Sequence, residues 1–164
     1  VNDDVRKPEF VARVAQSRAR WDRLAGRLSP EEALLPGFCE RWSLIEVLAH
    51  IAWYEREMVN LLQARSFAGS PLWALPLDER NARIHQDMQQ LDPAAVWTLA
   101  AQTFADLMRQ LDQLPEASLS DPAAFPGMPS DWKPWEVIAS NTYEHYADHA
   151  QQAEAWITRR QGGA

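Results

Sequence analysis

His145 and His149 stand four residues apart in the stretch Asn141-Thr142-Tyr143-Glu144-His145-Tyr146-Ala147-Asp148-His149. On a helix that spacing stacks both imidazoles on one face. The same face carries Ile138, Thr142 and Trp156, so the two histidines occupy positions that would otherwise hold core residues. Imidazoles turned toward a core need partners, because an unpaired buried polar group costs about 1–3 kcal/mol. A metal ion is one partner that serves both. His50, at the edge of the inward stripe of an earlier helix, supplies a third nitrogen. Neutral imidazoles suit Zn²⁺, Ni²⁺, Fe²⁺ or Cu²⁺, with Zn²⁺ and Ni²⁺ foremost. Three protein ligands leave one coordination position open, as in catalytic rather than structural zinc. An open position lowers the pKa of a bound water or holds a thiol as thiolate. The plainer alternative is that the histidines are satisfied by neighbouring side chains.

Other polar residues rank below this trio. Tyr54 and Asn141, each one turn from a histidine, are candidate substrate-binding groups. Glu55 falls on a core stripe, which calls for an arginine partner or a role behind the ligands. Glu46 reads as a capping residue. Glu144 and Asp148 point off the histidine face, and His85 lies in a polar context (Ile84-His85-Gln86-Asp87) that reads as surface. Cys39 reads as a small buried hydrophobe. No residue is assigned as a catalytic acid or base.

The elements that must position these groups are helical. Segment 8–28 places Phe10, Val14, Trp21, Leu24 and Leu28 at close to a 3.6-residue period. Ser43 followed by Glu46 is a capping box that opens a helix to about residue 65. Residues 66–77 hold Gly69, Pro71 and Pro76 and read as a loop. Asp78 is placed as the cap of a shorter helix over 79–90. Asp92-Pro93 caps another over 93–114. Residues 115–133, with four prolines, form a long irregular stretch of the kind that walls a pocket, with Trp132 and Trp135 at its end. Pro134 opens a final helix drawn without interruption to about residue 160, roughly 40 Å long at 1.5 Å per residue. Residues 1–7 and 161–164 read as loose ends. The result is four long amphipathic helices and one short one in a single domain over 1–164, arranged up-down-down-up or up-down-up-down.

Composition narrows the function. The net charge of −7 argues against nucleic acid or an anionic membrane as main partner. No apolar run is long enough to span a bilayer. The opening Val-Asn-Asp-Asp has no signal-peptide pattern, and a single cysteine fits a reducing, cytoplasmic setting.

Trp42-Ser43-x-x-x-Val47-Leu48-x-His50, followed by a last helix with His145-x-x-x-His149, resembles the DinB-like (damage-inducible) four-helix-bundle superfamily. The resemblance extends over nearly the whole chain. The string Asn141-Thr142-Tyr143-Glu144-His145-Tyr146 looks closest to the branch holding the DfsB-type and colibactin self-protection proteins. The resemblance implies an all-α, up-down-down-up bundle and a divalent metal on His50, His145 and His149. It also implies a thiol-dependent S-transferase or isomerase using a low-molecular-weight thiol and acting on a small electrophilic molecule; a metal-assisted hydrolase, with the same ion activating water, is a second reading of the three histidines. A homodimer is expected. The alternative is a non-catalytic, protective binder that sequesters a small molecule without metal.

Overall fold

The computed structural model of the chain describes residues 5–161. The loose ends expected at 1–4 and 162–164 lie outside the described residues. The described residues form six helices in order: α1 (Lys7–Ala25), α2 (Leu44–Ala64), α3 (Leu77–Met88), α4 (Pro93–Gln113), α5 (Pro134–Ser140) and α6 (Tyr143–Gln161). Arg6 and Lys7, expected to be loose, start α1 as its N-cap and first residue. Short 3-10 turns at Pro71–Ala74, Glu116–Leu119 and Pro122–Ala124 give the two long connections local order.

The helix starts follow local chemistry. At α2, Ser43 Oγ accepts from the Glu46 N–H at 3.3 Å, and Ser43 N–H donates to Glu46 Oε2 at 2.7 Å. That reciprocal pair satisfies two orphan donors. At α4, Asp92 Oδ1 accepts from the Ala94 N–H at 2.9 Å, with Pro93 at the first helical position. Asp78 does not cap α3. That helix begins two residues earlier than expected, at Leu77 after Pro76, and Asp78 and Glu79 sit in its uncapped first turn, where their charge favours the positive end of the dipole.

The last helix is interrupted, contrary to the unbroken segment expected over 134–160. Asn141 Nδ2 donates to the Val137 carbonyl at 2.7 Å, and Thr142 Oγ1 donates to the Ile138 carbonyl at 2.6 Å. These are the carbonyls that the Asn141 and Thr142 N–H groups would take in a continuous α-helix. Side-chain back-bonding displaces the backbone ladder, so α5 stops at Ser140 and α6 restarts at Tyr143.

Cross-helix contacts fix the directions. Lys7 reaches the Asp112 carbonyl and Arg18 the Ala100 carbonyl, so α1 and α4 run antiparallel. Phe10 packs on Tyr143, Trp21 on His149, and Arg20 pairs with Glu154, so α1 and α6 run parallel. His50 lies beside both histidines of α6, and Tyr54 beside His145. Together with the Glu55–Tyr146 hydrogen bond, this makes α2 and α6 antiparallel. The bundle is therefore up-down-down-up through α1, α2, α4 and α6. Parallel α2 and α4 need a long crossover, and residues 65–92 with α3 supply it.

The buried apolar residues form one cluster around Trp21, Leu44, Leu48, Leu107 and Phe125. Inside it sits an ion pair, Arg18 with Glu55, at 3% and 0% exposure. Removing one partner of such a pair strands the other charge, at about 3–5 kcal/mol. Arg18→Leu is expected to lose about that much in urea unfolding. Arg18→Leu/Glu55→Leu is expected to recover most of it. A double variant as unstable as the single one would show that packing, not the stranded carboxylate, sets the cost.

Candidate metal centre

His50 comes from the middle of α2, and His145 and His149 from the first two turns of α6. His50 Nε2 is 2.9 Å from His145 Nε2, and His149 Nε2 is 3.0 Å from the same atom. One ligating nitrogen from each ring lies within 4.8 Å of the others. Among the described residues this is the group of His, Cys, Asp and Glu side chains arranged to hold an ion.

The donor set fits a cation. A neutral imidazole nitrogen carries either one N–H or one lone pair. His145 Nε2 therefore makes one full hydrogen bond, or a weaker shared one, yet it has two nitrogen neighbours at hydrogen-bond distance. An ion accepting a lone pair from each ring removes that conflict. Two nitrogens on one tetrahedral Zn²⁺, each about 2.0–2.1 Å from it, are about 3.3 Å apart, close to the separations here. On the far side of the rings, His149 Nδ1 is 2.7 Å from Gln152 Oε1, which places the proton on Nδ1 and frees Nε2. The Nδ1 atoms of His50 and His145 have no protein partner.

Electrostatics keep the rings neutral. Burial, then His149 and Arg80, push His50 down to about 3. Burial, then His149 and His50, hold His145 well below the usual histidine range. Burial also lowers His149, against the opposing pull of Gln152 and Asp148. All three are thus unprotonated at neutral pH, the state a metal ligand requires.

The trio forms the floor of a cleft of about 1070 Å³. Its walls come from α2, the crossover, α3 and the end of the 115–133 stretch, through Phe67, Trp73 and Trp132 among others. Glu57 anchors the crossover. Its Oε2 accepts from the Ser70 N–H at 2.8 Å and from Trp73 Nε1 at 2.6 Å. Gly69 passes so close that a Cβ there would lie 2.7 Å from Trp73 and 2.9 Å from Glu57.

The other residues singled out by sequence fall in distinct places. Tyr54 lines the cleft, with its ring 4.9 Å from those of both His50 and His145. Its hydroxyl donates to Asn81 Oδ1 at 2.8 Å and accepts from Arg80 Nε at 3.1 Å. Asn141 also lines the cleft, with its Nδ2 tied back to Val137. Glu55 takes the arginine partner its core position called for. Trp132 borders the cleft, whereas Trp135 is not part of its lining. His85 is not a free surface residue: its ring stacks on Trp42 at 5.0 Å and its Nε2 is 2.6 Å from Glu46 Oε1. Arg80, Asn81 and Trp73 escaped the sequence reading, since a polar run on a short helix gives no sign of which face a neighbouring cleft will use.

Depressed histidine pKa values link stability to pH. The unfolded chain protonates these rings near pH 6.5, whereas native His50 resists down to about 3. The stability they represent is complete above pH 6.5 and is lost as pH falls toward 3. Chelator-treated protein is expected to lose stability from pH 6.5 to 5, by about 1.4 kcal/mol per pH unit for each such histidine. His50→Gln should flatten that slope in urea titrations. A wild-type midpoint that does not move across this window would contradict the buried, neutral state.

Comparison with known proteins places the chain. No curated protein sequence matches it. A solved structure from Streptococcus pneumoniae superposes with a TM-score of 0.79 at 12% identity, covering 94% of this chain and 91% of that one. The colibactin self-resistance protein ClbS, solved with double-stranded DNA, superposes at 0.76 and 9% identity, covering 94% and 96%. A mutant of the mycothiol-dependent maleylpyruvate isomerase superposes at 0.72 and 16% identity, covering 92% of this chain and 61% of that one. At such identities the likeness concerns the fold alone. The family model described as the DinB superfamily matches residues 13–153, and the chain belongs to that superfamily.

Proposed function

We propose that this protein is a divalent-metal-dependent enzyme acting on a small electrophilic molecule, with a low-molecular-weight thiol as nucleophile. The observation that carries the reading is the meeting of three neutral Nε2 atoms at the floor of a large cleft. His50, His145 and His149 would hold the ion. A bound Zn²⁺ or Ni²⁺ would supply Lewis acidity that lowers the pKa of a thiol or a water at its open position. Similarity of fold to a mycothiol-dependent isomerase favours the thiol over water, by analogy of fold only.

The chain's own residues bind, orient and exclude water. Tyr54 presses its ring against two of the ligand imidazoles and fixes their planes. Burial raises the pKa of its hydroxyl, so Tyr54 stays a neutral donor to Asn81. Gln152 sets the tautomer of His149. Phe67, Trp73 and Trp132 give the cleft apolar walls that suit a small organic substrate. Asn141 offers a polar contact at the same wall. The net charge of −7 favours a small molecule over the DNA held in the ClbS structure, and among the described residues no helix is long and apolar enough to cross a membrane.

Turnover of 1-chloro-2,4-dinitrobenzene with a panel of small thiols tests this directly. The rate should depend on the thiol and fall about 100-fold or more on chelation or in His145→Ala. Hydrolysis of 4-nitrophenyl acetate at a rate indifferent to thiol would assign the nucleophile to water. Thiol-dependent turnover equally fast without metal would remove the mechanism. No turnover of either probe, with tight binding of small aromatics, would favour a protective binder.

A further inference from the structure

Arg80 is a cation on the wall of the cleft with no ion-pair partner among the described residues. Its side chain lies over Trp73, with the guanidinium carbon 4.6 Å from the ring centroid. Its Nε donates to the Tyr54 hydroxyl at 3.1 Å. Those contacts hold the guanidinium plane and use one edge of it. Among the described residues no carboxylate lies within ion-pair distance of Arg80, and its two Nη groups make no hydrogen bond. The other charged groups lining the cleft are Glu57 and Asp148. Glu57 is already engaged by Ser70 and Trp73, and Asp148 is exposed on α6.

A guanidinium held by its Nε and stacked on an indole is preorganised. Its remaining Nη pair presents two parallel N–H donors, the geometry that matches a carboxylate. The Tyr54 hydroxyl donates to Asn81 Oδ1, which turns the Asn81 amide nitrogen outward as a further donor beside the arginine. Arg80 and the histidines share Tyr54 as a neighbour, one through its hydroxyl and the others through its ring. An anionic group on Arg80 would therefore leave the rest of a small molecule over the histidine floor, between Trp73 and Trp132.

We propose that Arg80, with Asn81, is the carboxylate-recognition site of the cleft, and that its ligand is a small organic carboxylate. This rests on the cleft being the ligand site, but not on a metal being bound. The carboxylate belongs either to the thiol or to the molecule the thiol attacks, and two arms of one experiment separate these sources. Calorimetric titrations would compare glutathione with its diethyl ester, and phenylacetate with phenylacetamide. The proteins would be the wild-type chain, Arg80→Gln, Arg80→Lys and His145→Ala.

In at least one arm the carboxylate should bind the wild-type chain about tenfold or more tightly than its neutral analogue. Arg80→Gln should erase that preference, Arg80→Lys should keep part of it, and neither should change metal content or melting temperature. A preference in the glutathione arm alone assigns the carboxylate to the thiol, and in the phenylacetate arm alone to its partner. Preference retained in a His145→Ala protein that binds no metal would sustain the carboxylate site whatever becomes of the metal. The proposal is overturned if no carboxylate is preferred by the wild-type chain, if the preference survives Arg80→Gln, or if it disappears in His145→Ala alone. The last result would put the anion on the histidines.

Discussion

All four bundle helices meet at one buried ion pair, Arg18 with Glu55. Glu55 of α2 accepts from Arg18 of α1 and, through the same oxygen, from the Tyr146 hydroxyl of α6 at 2.7 Å. Arg18 in turn donates to the Ala100 carbonyl of α4 at 3.3 Å and to Asp22 on its own helix at 2.8 Å. Burial by itself would lower the arginine pKa, but Glu55 and Asp22 more than reverse this and raise it. Burial pushes the Glu55 carboxyl up while Arg18 pulls it back. A pair this deep adds little net stability compared with an apolar substitute. What it does is forbid sliding. A one-residue shift of α2 against α6 would strand Glu55, at a cost no apolar contact returns.

That register sets the histidine geometry. Beside the Glu55–Tyr146 hydrogen bond, the rings of Tyr54 and His145 lie 4.9 Å apart. His50 lies one turn before Tyr54 and His149 one turn after His145, which on antiparallel helices makes them neighbours too. The break at Asn141–Thr142 ends three residues before His145. Before the break, α5 packs on the Glu116–Leu119 turn of the 115–133 stretch. The crossover then closes the cleft wall, docked through Phe67 N–H to the Pro126 carbonyl at 2.9 Å and through Glu57 to Ser70 and Trp73.

Much of this was legible because it is periodic or local. The capping box at Ser43–Glu46 states its own geometry, and the i, i+4 histidines on an apolar stripe can face only inward. Glu55 on the apolar stripe of α2 called for an arginine or a role behind the ligands, but that the arginine is Arg18 of α1 shows only in the packing. The helix break was not legible, because Asn141 and Thr142 keep the apolar period intact. Their side chains compete with backbone N–H groups for carbonyls, and a hydrophobic pattern does not record that competition. Asp78 looked like a cap because of its type, but the helix starts two residues sooner than expected, at Leu77, with Pro76 in the cap position. His85 looked like surface because its sequence neighbours are polar, while its stacking partner, Trp42, lies 43 residues away in the chain. Arg80 and Asn81 belong to the same class: their role comes from where α3 docks, which no local pattern encodes.

Metal-dependent chemistry in this cleft requires the histidines to be ligands rather than three imidazoles crowded together. The most direct measurement is metal content by mass spectrometry on tag-free protein, for the wild-type chain and for His145→Ala. His145 is the variant of choice because its Nε2 is the atom both other rings approach. The account predicts close to one Zn²⁺ or Ni²⁺ per wild-type chain and almost none in the variant. A wild-type chain that stays metal-free after reconstitution with excess Zn²⁺ and Ni²⁺, or a variant that holds as much metal as the wild type, would contradict it.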